Sequence, residues 1–112
     1  MASDWVKEFQ GAVTVCDREG IILEMNEKAC KTFAKDGGAA LVGKNVLECH
    51  PEPAKSKLKS MLAAGKSNAY TIEKNGIKKL IYQSPWYENG KYMGFVELSL
   101  EIPLKMPHFV RK

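Results

Sequence analysis

The sequence predicts an α+β domain: a five-stranded antiparallel sheet with short helices packed on one face. Three observations carry that expectation. Gly11 to Cys30, GAVTVCDREGIILEMNEKAC, reads as strand, tight turn, strand and helix. Two strong turn signals, Asn75-Gly76 and Glu88-Asn89-Gly90, divide the C-terminal part into three strands. Between these regions lies one longer helical pattern, Glu52 to Ala64, closed by Gly65. A chain of 112 residues suffices for a single core, so residues 9–102 are expected to form one domain. Residues 1–8 would form an N-terminal helical cap, and residues 103–112, with two prolines, a tail or linker.

Each element has a local cause. Ser3 to Phe9 can make one helical turn, capped by Ser3 or Asp4, with Trp5, Val6 and Phe9 on one side. A segment this short needs a surface to pack on, either its own domain or a second chain. Gly11 to Cys16 is apolar and β-branched. Asp17-Arg18-Glu19-Gly20 supplies turn chemistry, and Ile21, Ile22, Leu23 and Met25 a second apolar run. Asn26 suits a helix N-cap, with Ala29, Cys30 and Phe33 following at helical spacing. Asp36-Gly37-Gly38 breaks that helix. In the longer helix Ala54, Leu58, Met61 and Leu62 share the apolar side. The strands then run Asn68–Glu73, Lys78–Trp86 and Tyr92–Ile102.

Composition narrows the function classes. No apolar run approaches the ~20 residues of a membrane span, and MASDWVKEF lacks the pattern of a secretory leader. A cytoplasmic protein without membrane contact is expected. The net charge is +4, but Lys55, Lys57 and Lys59 alternate along a helix and cannot form one tight stripe, so no nucleic-acid partner is expected. Cys16, Cys30 and Cys49 are an odd set without a C-x-x-C pair, which fits reduced thiols and disfavours zinc or cluster binding. Catalysis finds no phosphate loop, nucleophile elbow or acid pair, and adjacent Cys49-His50 makes a poor dyad or metal site. The chain does not read as an enzyme.

The order of short motifs resembles the PAS family. Asp17 and Gly20 fit its first hairpin, and Asn26 with Ala29 its first helix. Val42-Gly43-Lys44 fits its small-Gly-basic turn, and His50-Pro51-Glu52 its His-Pro-Glu-Asp step, with Pro53 in place of the final acid. Asn89-Gly90 followed by Gly94 looks like the turn into its last strand. Glu101-Ile102 resembles its closing Asp-Ile-Thr, with Pro103 where Thr is usual. The resemblance implies a PAS-like sheet and a sensory, signal-transducing module. Such a module binds a small ligand or a protein partner and acts through dimerisation.

Strand alternation leaves two possible inward sets, and the resemblance selects Ala69, Thr71, Ile81, Gln83, Val96 and Leu98. Of these, Thr71, Ile81, Gln83, Val96 and Leu98 are the expected pocket residues, with Gln83 and Thr71 orienting a ligand. A closed, self-filled core is the alternative. Tyr70, Ile72, Leu80, Tyr82, Trp86 and Phe95 would then face outward. With Trp5 and Phe9 they would form an aromatic-rich interface, most simply a homodimer's or one with a signalling partner. Cofactor identity stays open between none and a small apolar ligand. The resemblance also implies possible haem, for which His50 is the core-region axial candidate. Flavin-thiol photochemistry is disfavoured, because Gly43-Lys44-Asn45 is followed by Val46 rather than by the family's reactive Cys.

Overall fold

The structure is a computed structural model that describes residues 4–112. Ser3, an expected cap, and the side chain of Cys49 lie outside the described residues. The chain runs α1 (Asp4–Lys7), β1 (Ala12–Asp17), β2 (Ile22–Met25) and α2 (Glu27–Thr32), then α3 (Ala54–Ala64), β3 (Asn68–Lys74), β4 (Ile77–Glu88) and β5 (Lys91–Ile102). Three short 3-10 turns, Ala34–Asp36, Gly38–Leu41 and Val46–Cys49, carry the chain from α2 to α3. The sheet has five strands in the order β2-β1-β5-β4-β3, and every neighbouring pair is antiparallel.

Side chains of the chain's own turns and caps fix the path. The Asp17 carboxylate accepts from the Glu19 and Ile21 amides, both at 2.9 Å, which closes the β1–β2 turn. Asn26 is buried and uses its whole side chain. Its Oδ1 accepts from Val13 N (2.9 Å) and Ala29 N (3.0 Å), while its Nδ2 donates to Gly11 O (2.9 Å) and Val6 O (3.0 Å). One residue thus caps α2 and ties it to β1 and to α1. At the start of α3 the Glu52 carboxylate accepts from Ser56 N and Oγ, and at its end Gly65 takes φ 64° with its amide on Met61 O.

The centre of the core is Cys16, Leu62 and Phe95, with Leu58, Met61, Val46, Leu47 and Tyr92 packed around them. Tyr92 Oη donates to Leu62 O at 2.7 Å and so pins the end of α3 to β5. The helices therefore cover the sheet face that carries Cys16 and Phe95. Directly opposed residues in antiparallel strands share a face. Cys16 pairs with Phe95, Thr14 with Glu97, Glu97 with Gln83, Gln83 with Asn68, and Ile81 with Tyr70, so this set faces the helices.

This register corrects part of the expected facing. Ile81 and Gln83 point to the helices and Leu80, Tyr82 and Trp86 point away, as expected. On β3 the expectation is off by one residue. The turn at Asn75 (φ 54°) and Gly76 (φ 77°) sets Lys74 opposite Ile77, which brings Tyr70 beside Ile81 and turns Tyr70 and Ile72 to the helix side. Thr71 and Ala69 face outward with Leu80 and Tyr82. On β5 the cause is a β-bulge at Trp86/Tyr87. An unbroken ladder from Glu88 opposite Lys91 would place Gln83 against Val96 and Ile81 against Leu98. The bulge advances β5 by one residue, so Gln83 meets Glu97 and Ile81 meets Ser99. Val96 and Leu98 thereby lie on the outer face, and Phe95, 5% exposed, is core rather than interface.

Candidate functional site

Between the helices and the sheet the core is not filled. Three adjoining lobes of 160, 60 and 260 Å3 run from the β1–β2 side to β3. The first is walled by Ile22, Met25, Phe33, Leu41 and Val46, with Thr14, Asp36 and Glu97 as its acceptors. The narrow middle lobe lies against Cys16, Phe95, Leu58 and the Gln83–Glu97 pair. The third lies between α3 (Ala54, Lys57, Leu58, Met61) and Asn68, Tyr70 and Gln83. His50 borders all three.

The floor of this space is a row of linked polar side chains across three strands. Asn68 Nδ2 donates to Gln83 Oε1 at 3.2 Å, and Gln83 Nε2 donates to Glu97 Oε1 at 2.9 Å. The row fixes the rotamer of Glu97 and leaves its second oxygen free of any hydrogen bond among the described residues. Burial raises the pKa of the Cys16 thiol, with a smaller upward push from the charges of Asp17 and Glu97. The Tyr70 phenol is likewise raised, first by burial and then by Glu97. The carboxylate is thus felt as charge by groups on both sides of it. His50 is exposed, and its Nδ1 lies 2.7 Å from Val46 O, a bond to local backbone that leaves Nε2 without a hydrogen bond among the described residues. Among the described residues no group of three His, Cys, Asp or Glu side chains gathers closely enough to hold a metal ion.

Of the expected pocket residues, Ile81 and Gln83 lie on the cavity face, and Gln83 lines two lobes. Thr71, Val96 and Leu98 do not. The position expected of Thr71 is taken by Tyr70. The residues not anticipated are Thr14, Asn68 and Glu97. Their signal was present: Thr14 and Glu97 are the polar interruptions of the apolar runs Val13–Val15 and Phe95–Leu98.

The outer face holds apolar rows, Val13–Leu98–Tyr82, Val15–Val96 and Leu100–Leu80. Tyr82 remains 40% exposed. Trp86 is half-buried here: its indole Nε1 crosses the opposed Gly94 and donates to Cys16 O at 3.0 Å. Beside this face α1 is held through its Val6 carbonyl, while Trp5 (69% exposed) and Phe9 stack edge to face at 5.8 Å. No helix among the described residues is long and apolar enough to cross a membrane.

No protein-family model matches the sequence, and no curated protein is similar enough to count as a relative. Solved structures do match. The PAS domain of BvgS from Bordetella pertussis superposes with a TM-score of 0.64 at 18% identity, covering 87% of this chain and 80% of that one. The PAS domain of an HTR-like protein from Haloarcula marismortui gives 0.63 at 15% identity, covering 88% and 86%. The Aer2 receptor from Vibrio cholerae, a dual PAS-heme oxygen sensor, gives 0.60 at 22% identity, covering 82% and 94%. With the sheet order, the antiparallel pairing and the helices on one face, these matches establish that the chain has the PAS fold.

Proposed function

We propose that the protein is a sensory signalling module that binds a small ligand between helices and sheet and acts through a dimer formed on the outer sheet face. The observation that carries this reading is the lobed cavity with the Asn68–Gln83–Glu97 row as its floor. A cavity that is apolar on its walls and polar at a few fixed points is the usual form of a small-molecule site. The structural neighbours named as sensors and receptors support the signalling role. The apolar rows of the outer face, flanked by Trp5 and Phe9, support the dimer.

Haem, which the Aer2 receptor carries by name, fits this chain less well. His50 could present Nε2 as an axial ligand. A rigid planar macrocycle, however, needs one wide slot with apolar faces, and the space here narrows to 60 Å3 over the Gln83–Glu97 pair. A ligand smaller than the macrocycle suits the lobes better.

Native mass spectrometry of the freshly purified protein, beside a denatured spectrum, tests the reading. Extra mass that is lost on denaturation and belongs to a small molecule supports it. A haem-sized increment would replace it with the haem reading. A bare protein that also takes up nothing from a small-molecule library would refute the ligand half. For the dimer half, sedimentation velocity should show a dimer that Leu98→Glu converts to monomer, and a wild-type monomer would refute it.

A further inference from the structure

The 160 Å3 lobe is more specific than a general apolar site. Its walls are Ile22, Met25, Phe33, Leu41 and Val46, and everything polar on it is either an acceptor or able to act as one: Thr14 Oγ1, Glu97, Asp36 at the exposed rim, and His50. Glu97 is held by Gln83 through one oxygen only, and its other oxygen makes no hydrogen bond among the described residues. Among the described residues no lysine or arginine lines this lobe, and Lys57, on the far side of the 60 Å3 neck, is the one cation that borders the cavity. The chain as a whole carries +4, so a negative interior site runs against the overall balance. Thr14 stands opposite Glu97 in the ladder, which puts a hydroxyl acceptor beside the carboxylate on the same floor.

We infer that this lobe selects a small organic cation, a protonated amine on a compact apolar body, over its neutral and anionic counterparts. The inference rests on the reading that the cavity is a ligand site and adds the charge class of the ligand. The ammonium donates to the free Glu97 oxygen and to Thr14 Oγ1, and the apolar body fills the wall of Phe33, Ile22 and Leu41. The size matches: an apolar cavity of ~150 Å3 takes a benzene-sized molecule. A hydrogen bond to an ionised partner is stronger than a neutral one by about 1.4 kcal/mol or more, a factor of about ten in affinity.

The test uses three probes of one shape, benzylammonium, benzyl alcohol and benzoate, titrated into the 15N-labelled full chain. The expected result is movement of the Thr14, Val46 and Glu97 amides, with the amine binding about tenfold tighter than the alcohol and benzoate weakest. Glu97→Gln keeps the shape and the link to Gln83 but turns an amide NH2 toward the lobe, and should abolish the preference for amine over alcohol. Equal binding of amine and alcohol to the native chain would overturn the charge class and leave the ligand site standing. So would an amine preference that survives in Glu97→Gln. Absence of shifts at these amides with all three probes would overturn the ligand site as well. The comparison of probes on the native chain decides the matter even if the variant fails to fold.

Discussion

Replacing Asn26 with Asp changes one nitrogen to oxygen and leaves the shape untouched, so its effect isolates hydrogen-bond chemistry. In the native chain Oδ1 receives two amides, and Nδ2 serves Gly11 O at 2.9 Å and Val6 O at 3.0 Å. The Asp side chain can still accept from Val13 N and Ala29 N, and its charge suits the start of α2. It cannot donate, so both carbonyls lose the Nδ2 bond and face a carboxylate oxygen in a site only 6% exposed; Val6 O keeps the Phe9 amide at 3.3 Å, while Gly11 O loses its partner. Two lost bonds of about 1 kcal/mol each, plus about 1–3 kcal/mol for the one buried acceptor left unsatisfied, Gly11 O, give a loss of about 3–5 kcal/mol. That is a large share of the ~5–15 kcal/mol of a typical domain. The sign with pH follows. Burial against two carbonyls raises the folded-state pKa of the introduced acid above its unfolded value of ~3.9. Its protonated form can restore one donor, so the deficit is smallest below the unfolded pKa and grows as pH rises through the folded one. Urea melts followed by circular dichroism at pH 4 and pH 7, with the variant compared to wild type at each, measure this. A difference below about 1 kcal/mol at pH 7, or one that does not change with pH, would refute the clamp described for Asn26.

Other perturbations should divide in the same way. Gly94→Ala places a methyl against the Cys16 carbonyl at φ 148°, and should cost about 3 kcal/mol or more in urea melts. Gly43→Ala, at φ 94° with open space around it, should cost only about 1 kcal/mol of backbone strain. Tyr92→Phe removes the bond to Leu62 O and should cost about 1 kcal/mol, with faster hydrogen exchange at the end of α3. Burial holds the thiol of Cys16 and the phenols of Tyr70 and Tyr92 protonated beyond their ordinary range. Their contribution is therefore present below the unfolded pKa values, ~8.5 for Cys and ~10 for Tyr, and is lost as pH climbs above them. Stability that stays flat between pH 8 and pH 11 would contradict this.

The elements themselves were legible in the sequence, because turns and caps are local chemistry. Asp17, Asn26, Gly65 and Asn75-Gly76 each do in the structure what their residue type dictates. The facing of Tyr70 and Thr71 was legible too, since a two-residue turn at Asn75-Gly76 fixes the whole β3–β4 ladder. The set selected by resemblance, Thr71 together with Ile81, is one that this turn forbids, because the ladder sets Ile81 opposite Tyr70 and Thr71 opposite Leu80. β5 is different in kind. Its turn at Asn89-Gly90 predicts one register, and the bulge at Trp86/Tyr87 delivers the other. The hint was Gly94, a glycine inside a strand that marks a bulge or a close backbone approach. Its meaning depends on Trp86 reaching across it to β1, a contact separated by 70 positions in the chain. No local pattern contains that.

The same one-residue shift decides which side chains of β5 face the cavity and which face outward. With the unshifted register Val96 and Leu98 would floor the cavity, and Glu97 would face outward. The bulge exchanges them: it places a charged acceptor beside Thr14 and Gln83, and it moves two apolar side chains to the surface row of Val13, Val15 and Tyr82. Glu97 and its neighbours Val96 and Leu98 are consecutive residues of one central strand. A ligand held by Glu97 therefore bears on the backbone that presents the proposed dimer surface, with no intervening element. On this reading, a probe that binds at Glu97 should shift the dimer equilibrium measured by sedimentation. Leu98→Glu should change probe affinity in turn, because coupling between two sites is reciprocal. Binding that leaves the dimer equilibrium untouched would separate the two faces and reduce the shared strand to a coincidence of register.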